Sequence, residues 1–312
     1  MSKSFNKIFR TIDEQIMILR GKGLIIENND ETKNLLLREN YFFISGYRHL
    51  FMEPGNKDVF LPGTNFEELY AMFIFDRKLR NVFFKNILII ENNIKSIISY
   101  QLSKKYGFRE KEYLNPRNFT QDKLVERKVK DILNKMYRQI RVNGRKHTAT
   151  MHYIDNYGYI PLWILVKVLS FGIVSEFYGI LKNEDKHNIA KFYSLDGQTL
   201  ERYLGLLSNF RNVCAHEDIL YDHKTQRFVP DTRYHQQLNI EKVEDVYKYG
   251  KNDLFGLVIM LKDLLREEEF EEMIDEIKLE IEILDHSVNV IPLSNILSRI
   301  GFPSNWYDIK DL

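Results

Sequence analysis

Between Phe66 and Lys105 the residues Phe73, Phe75, Leu79, Val82, Phe83, Ile87, Ile90, Ile94 and Ile97 recur at intervals near three and four. Asp76, Arg77, Arg80, Glu91 and Lys95 punctuate the run. That is the period of an α-helix with a broad apolar face, and it predicts one long helix or two joined. A face of that length must be covered by other helices, and the rest of the chain reads accordingly. Ile12 to Gly23 is a short amphipathic stretch, and Asp30 is placed to cap a helix through Leu35-Leu36-Leu37 towards Asn40. Asn115-Pro116 ends the long pattern. Helical spacing returns at Leu124, Ile132, Leu133 and Met136, with a loop expected at Asn143-Gly144. Tyr153 to Leu181 forms another helical block, entered through Pro161, with Gly172 and Gly179 marking close packing or a break. Asn183 to Phe192 and Thr199 to His216 read as shorter helices, the second with Leu204, Leu207, Phe210 and Cys214 facing inward. Val243 to Leu284 reads as a final long helix, apolar on one side and acidic on the other. A short strand or irregular connection is expected only at Asn40–Tyr47, before turn signals at Glu53 to Gly63. The expected fold class is all-α.

At 312 residues and 44% hydrophobic content, the chain can bury a sizeable core. The single cysteine, Cys214, excludes an internal disulfide and a multi-cysteine zinc site. His147, His152, His187, His223 and His235 show no ligand spacing on one helix, so no metal and no cofactor is expected. No stretch reaches about 18 uncharged apolar residues, and the N-terminus has no secretory core, so neither membrane insertion nor export is expected and the cytosol is the simplest location. The net charge of +1 hides an uneven distribution: Arg117 to Lys146 holds ten Lys/Arg and three acids, whereas Asp263 to Asp285 holds eleven acids and two bases. The first stretch could face nucleic acid; the second suits a solvated helix face or a partner surface.

The candidate chemistry lies in Phe210-Arg211-Asn212-Val213-Cys214-Ala215-His216. RNA carries its own nucleophile, the ribose 2′-OH; a histidine moves protons near neutral pH and an arginine holds phosphate charge. The spacing alone is ordinary. With 18 Arg and 8 His, chance gives roughly half a match for any one spacing, and Arg141/His147 and Arg145/His152 fall in the same range. On a continuous helix Arg211 and His216 stand about 140° apart, whereas Asn212 and His216 share a face. Asn212 is therefore placed to orient His216 or touch phosphate, and Glu91 is the carboxylate best placed to orient or pair with Arg211. The ordinary reading, an Arg paired with a helical carboxylate and a His closing its helix, needs no chemistry at all. Cleavage needs a base and an acid, which two copies of His216 meeting across a two-fold axis would supply, so catalysis would imply a homodimer.

Four ordered blocks between residues 12 and 223 carry a likeness to a known family. Asn40-Tyr-Phe-Phe-Ile-Ser-Gly-Tyr47 resembles its Asn-Tyr…Ser-Gly-Tyr signature. Phe75-Asp76-Arg77-Lys78-Leu79-Arg80 with Ile90-Glu91 resembles its Phe-Asp-x-x-Leu-Arg and Ile-Glu helix. Pro161-Leu162-Trp163 with Leu169-Ser170-Phe171-Gly172 is the third block, and Arg211-Asn212-x-x-Ala215-His216 the fourth. The chain thus resembles the Abi-like abortive-infection family (AbiD/AbiF type) of bacterial phage-defence proteins, grouped with the HEPN superfamily of metal-independent ribonucleases. The resemblance implies a helical bundle (residues 63–225) with a small N-terminal extension (1–62), a basic helical insertion (109–150) and a C-terminal helical region (226–312). It implies Arg211 and His216 at the bundle end, facing a second copy, and restraint by a small structured RNA. After the box the family often reads His-x-Arg-Leu-Trp-Asn; here Glu217 to Asp222 is more acidic and lacks that arginine.

The expectation is a metal-independent endoribonuclease acting in phage defence. His216 would transfer protons, Arg211 would stabilise the phosphate and Asn212 would support. Lys123, Arg127, Lys128, Lys130, Lys135, Arg138, Arg141, Arg145 and Lys146 would track a structured RNA backbone, with strong salt dependence. The alternatives are a non-catalytic RNA-binding module on the same fold and a protein-interaction scaffold using the acidic C-terminal helix. Asp76 with Arg80 reads as a structural i,i+4 ion pair, the aromatic cluster Tyr41 to Tyr47 as core, and Cys214 as core.

Overall fold

The computed structural model describes residues 8–312. The first helix, α1 (Ile12–Gly21), starts at a capping box: Glu14 N–H donates to Thr11 Oγ1 (3.3 Å) and Thr11 N–H to the Glu14 carboxylate (2.8 Å). For α2 (Asn29–Glu39) the cap is Asn28, whose Oδ1 accepts from Glu31 N–H at 3.1 Å; Asp30, expected there, sits inside the first turn, where its charge favours the positive helix end. Asn40 takes φ 67°, a conformation Asn tolerates, and its side chain caps α3 (Tyr41–Ser45) through Phe42 N–H (2.9 Å). The strand considered for Asn40–Tyr47 is therefore helix followed by a 3-10 turn, Gly46–Phe51. Tertiary anchoring of Tyr47 overrides the β-propensity of this aromatic run. A hairpin follows, β1 (Met52–Glu53) with β2 (Asn56–Phe60).

The long periodic segment is one helix, α4 (Phe66–Tyr106), about 60 Å long. Asn65 caps it through Glu68 N–H (2.8 Å), and Gly107 at φ 93° ends it. Its apolar residues bury on several sides, because helices surround it; Ile97 is half-buried and Ile98 takes the inward place. Then come α5 (Glu110–Tyr113), α6 (Glu126–Asn143) and α7 (Thr148–Tyr157). Val129, Ile132, Leu133 and Met136 form the inward stripe of α6. Leu124 does not join it: it lies in the turn before the helix and is 92% exposed.

The expected block Tyr153 to Leu181 is broken by Gly158 in a left-handed conformation and by Pro161. It resolves into the end of α7, α8 (Leu162–Leu165) and α9 (Phe171–Gly179), the last capped by Ser170. Next are α10 (Asn183–Ala190) and α11 (Gly197–Ala215); Asp196 Oδ1 caps α11 by accepting from Gln198 and Thr199 N–H, both at 2.9 Å. After α12 (Arg233–Gln237), the single helix expected over Val243–Leu284 is interrupted twice. Glu244 and Asp245 both take positive φ and turn β3 (Lys242–Val243) into β4 (Val246–Tyr247). Leu265 and Arg266 are extended and separate α13 (Leu254–Leu264) from α14 (Glu267–Ser287). The chain closes with α15 (Leu293–Ile300) and a 3-10 turn.

The result is an all-α bundle around α4. Its neighbours include α14 along much of its length and α11, α10 and α8. α9 packs on α11 from one side and on α6 from the other. Phe270, Met273, Ile274, Ile277, Ile281 and Leu284 of α14 face the core, and its acids face solvent. No helix among the described residues is long and apolar enough to cross a membrane.

Candidate functional site

Helix α11 runs unbroken through the Arg–His box, and His216 is its last half-turn: His216 N–H donates to Asn212 O at 3.0 Å. Beyond it Asp218 N–H donates to Val213 O (3.1 Å) and Glu217 N–H to Cys214 O (3.4 Å), with Glu217 at φ 55°. This pair of bonds is a Schellman closure, with a glutamate in the position glycine usually takes. Because the helix is continuous, Arg211 and His216 point along different faces.

Arg211 turns towards α4. Its Nε lies 3.5 Å from Glu91 Oε2, and its guanidinium carbon sits 5.6 Å from the Phe84 ring centre. Glu91 is buried and also accepts from Lys95 Nζ at 2.7 Å, so one carboxylate stands between two cations. The Arg211 side chain keeps 29% of its surface exposed. Asn212 and His216 are both exposed and share the opposite flank of the helix. Cys214 faces the core, where burial pushes its thiol up to about 12, so it holds no thiolate at neutral pH.

The segment after the box is fixed by a buried carboxylate. Asp76 on α4 accepts from Leu220 N–H (3.1 Å), Tyr221 N–H (2.6 Å) and Tyr47 Oη–H (2.6 Å) and pairs with Arg80. Arg80 also donates to Tyr47 Oη (3.1 Å) and Asp218 O (3.3 Å). The i,i+4 pair is structural, and it does more than brace its own helix: it binds the Gly46-Tyr47 segment and the 218–221 segment to one point.

Around that point opens a cleft of about 1020 Å³. Arg48, His49, Arg77, His223 and Lys224 line it, and Phe42, 75% exposed, stands at its edge. The aromatic cluster expected as core thus divides: Ile44 and Tyr47 are buried, while Phe42 and Phe43 face out, since a five-residue helix has an outer side to fill. His223 is a site residue that spacing did not reveal. Its Nε2–H donates to Asn209 Oδ1 at 2.7 Å, and its ring meets Phe210 edge-on at 5.4 Å. Burial draws its pKa below the ordinary histidine value. A return of the chain onto α11 brings it there, which no motif announces.

All nine basic residues singled out between Lys123 and Lys146 are exposed. On α6 the positions Arg127, Lys130, Arg138 and Arg141 form one outward stripe, opposite the buried one. Lys135 is engaged by Glu176 of α9 at 2.6 Å. The stripe does not adjoin the Arg–His box: α9 packs between α6 and α11.

Over residues 34–222 the chain matches the family described as Abi-like protein. No curated protein and no solved structure matches it. The matched segment runs from α2 to the loop behind α11 and so contains the Asp76 network, the Arg–His box and the cleft lining except His223 and Lys224, which lie just beyond it.

Proposed function

The chain belongs to the Abi-like protein family, and from that premise we propose that it is a metal-independent endoribonuclease of the HEPN type that acts in phage defence by abortive infection. The observation that carries the reading is the end of α11. An arginine backed by a buried carboxylate and a histidine open to solvent stand five positions apart, beside a large cleft lined by cations, among them Arg48 and Lys224, and by acids, among them Glu217, Asp218 and Asp222. His216 transfers a proton, Arg211 stabilises negative charge on the scissile phosphate and Asn212 supports both. Attack by the 2′-OH leaves a 2′,3′-cyclic phosphate and a 5′-OH, with no cofactor. Because Arg211 turns away from the flank that carries His216, the proposal includes a homodimer, in which two box ends come together around one phosphate.

The exposed stripe on α6 supports a second contact, with the backbone of a structured RNA that restrains the enzyme. Its distance from the box, across α9, suits a restraining RNA that need not be the substrate. That same separation favours one other reading, a non-catalytic RNA-binding module. Cleavage decides between them. Protein stripped of bound RNA is expected to cut cellular RNA to 5′-OH products, and His216→Ala is expected to lose about 100-fold or more in rate and its toxicity in cells. Equal toxicity of His216→Ala and the parent would leave only the binding module.

A further inference from the structure

Resting on the ribonuclease reading, the geometry leaves one chemical requirement open. Cleavage by the 2′-OH needs one group to take its proton and another to protonate the departing 5′-oxygen, and each chain's box contains a single histidine, so the other group comes either from His216 of a second copy or from another residue of the same chain.

Asn209, Asn212 and His216 are all exposed. Asn209 and His216 are seven positions apart, so they lie within about 20° of one azimuth and about 10 Å apart along the axis of α11. The three residues form one polar stripe. His223 is returned to that stripe by its bond to Asn209, past the Schellman closure and the turn at His223 N–H to Leu220 O (3.0 Å). Asn209 Oδ1 can only accept, so Nε2 of His223 carries the ring proton and Nδ1 is left as an acceptor. The same ring forms part of the wall of the cleft, where Arg48 and Lys224 stand with Asp218 and Asp222. Arg48 Nε is buried there and, among the described residues, has no hydrogen-bond partner.

We propose that His223 is the second proton-transfer residue of the site, acting as general base on single-stranded RNA laid along the exposed stripe of α11, with Asn209 as its positioning residue. Nδ1 of His223 takes the 2′-OH proton as the 2′-oxygen bonds to phosphorus. The bond from phosphorus to the 5′-oxygen breaks, and protonated His216 gives its proton to that oxygen. His223 ends protonated and His216 neutral, and water exchanges the two protons before the next turnover. An in-line displacement places the entering and leaving oxygens on opposite sides of phosphorus. RNA laid along that face places its phosphate between the base, held at the Asn209 end, and the acid at His216, helix positions about 10 Å apart along the axis. Both histidines then belong to one chain.

The test uses full-length dimer-competent protein, stripped of RNA, on two dinucleotides: one with a natural 5′-oxygen and one with a bridging 5′-sulfur, a leaving group that needs no proton. His223→Gln is expected to slow both substrates by about 100-fold. His216→Ala is expected to slow the oxygen substrate alone. Asn209 is exposed on a formed helix, so its variants report even if His223→Gln proves unstable: Asn209→Ala should lose about tenfold, and Asn209→Asp, which keeps an acceptor for Nε2–H, should recover most of it. Wild-type rates in His223→Gln, or its rescue by the sulfur leaving group, overturn the assignment while leaving the ribonuclease reading intact. A wild-type protein that cleaves neither substrate overturns both.

Discussion

At the scale of single residues, Asp76 is the group with the most at stake. It is fully buried, and its two oxygens serve Arg80, Tyr47 and two backbone N–H groups. Such a carboxylate is held in place by its partners, and removing it strands Arg80 as a buried cation. Asp76→Ala is expected to cost about 3–5 kcal/mol in denaturant unfolding, with the 218–221 segment the first to lose amide protection. The opposite sign is expected three residues before Leu220. Glu217 occupies a left-handed position that an L side chain adopts only with strain. Glu217→Gly should raise stability by about 1 kcal/mol, read as a shift in the unfolding midpoint at unchanged slope. Neither effect is legible from the residue's own neighbourhood in sequence. Asp76 meets Tyr47 across 29 positions and Tyr221 across 145, and the likeness of the family blocks could say that these segments matter but not that they converge on one carboxylate.

Whole elements were far more readable, for a physical reason. Where a helix has firm ends and apolar residues at helical intervals throughout, as α4 has between Asn65 and Gly107, periodicity and caps lie in adjacent residues and the segment reports on itself. The same holds for α11, whose inward Leu204, Leu207, Phe210 and Cys214 are all buried. Short-range backbone conformation cuts across a continuous pattern at Glu244-Asp245, at Leu265-Arg266 and at Asn40, each set by two or three backbone angles that hydrophobic spacing does not encode. On α6 the pattern was plain because buried and basic residues alternate by turn. Its outward stripe gives a prediction at this scale. Replacing Arg127, Lys130, Arg138 and Arg141 together with Gln removes four cations from an exposed face. The logarithmic salt slope of RNA binding should then flatten by roughly three units, with little change in melting temperature. An unchanged slope would mean that RNA lies elsewhere.

For the whole molecule, one pH-sensitive point is the loop that ties α12 to α13. Gly250, at φ 81°, is held from both directions. Its carbonyl accepts from His235 Nε2–H at 3.2 Å, and its N–H donates to Asp253 Oδ1 at 3.0 Å. A side chain on Gly250 would run into Ile259 and His235, so the loop has little freedom to relax. His235 is fully buried, stacked on Tyr247 at 4.6 Å, with Nδ1 accepting from Thr232 N–H. Burial lowers its pKa to about 4, with Lys251 pushing the same way and Asp231 opposing. The unfolded chain takes up this proton below about 6.5 and the folded chain only near 4, so stability falls as pH drops between those values, by up to about 3 kcal/mol. Asp253 works against it. Burial raises its carboxyl to about 6, so the folded state binds that proton before the unfolded state does, and stability gains as pH falls below 6. The two slopes offset each other in the wild-type protein over pH 4–6. Removing the histidine alone exposes the carboxyl's contribution. His235→Gln should be less stable at pH 7, because it loses the fit of the ring, yet should lose less stability on going to pH 4.5 than wild type does. Urea unfolding at the two pH values measures this, and a steeper acid loss in His235→Gln than in wild type would show that the buried ring is not what limits the fold in acid.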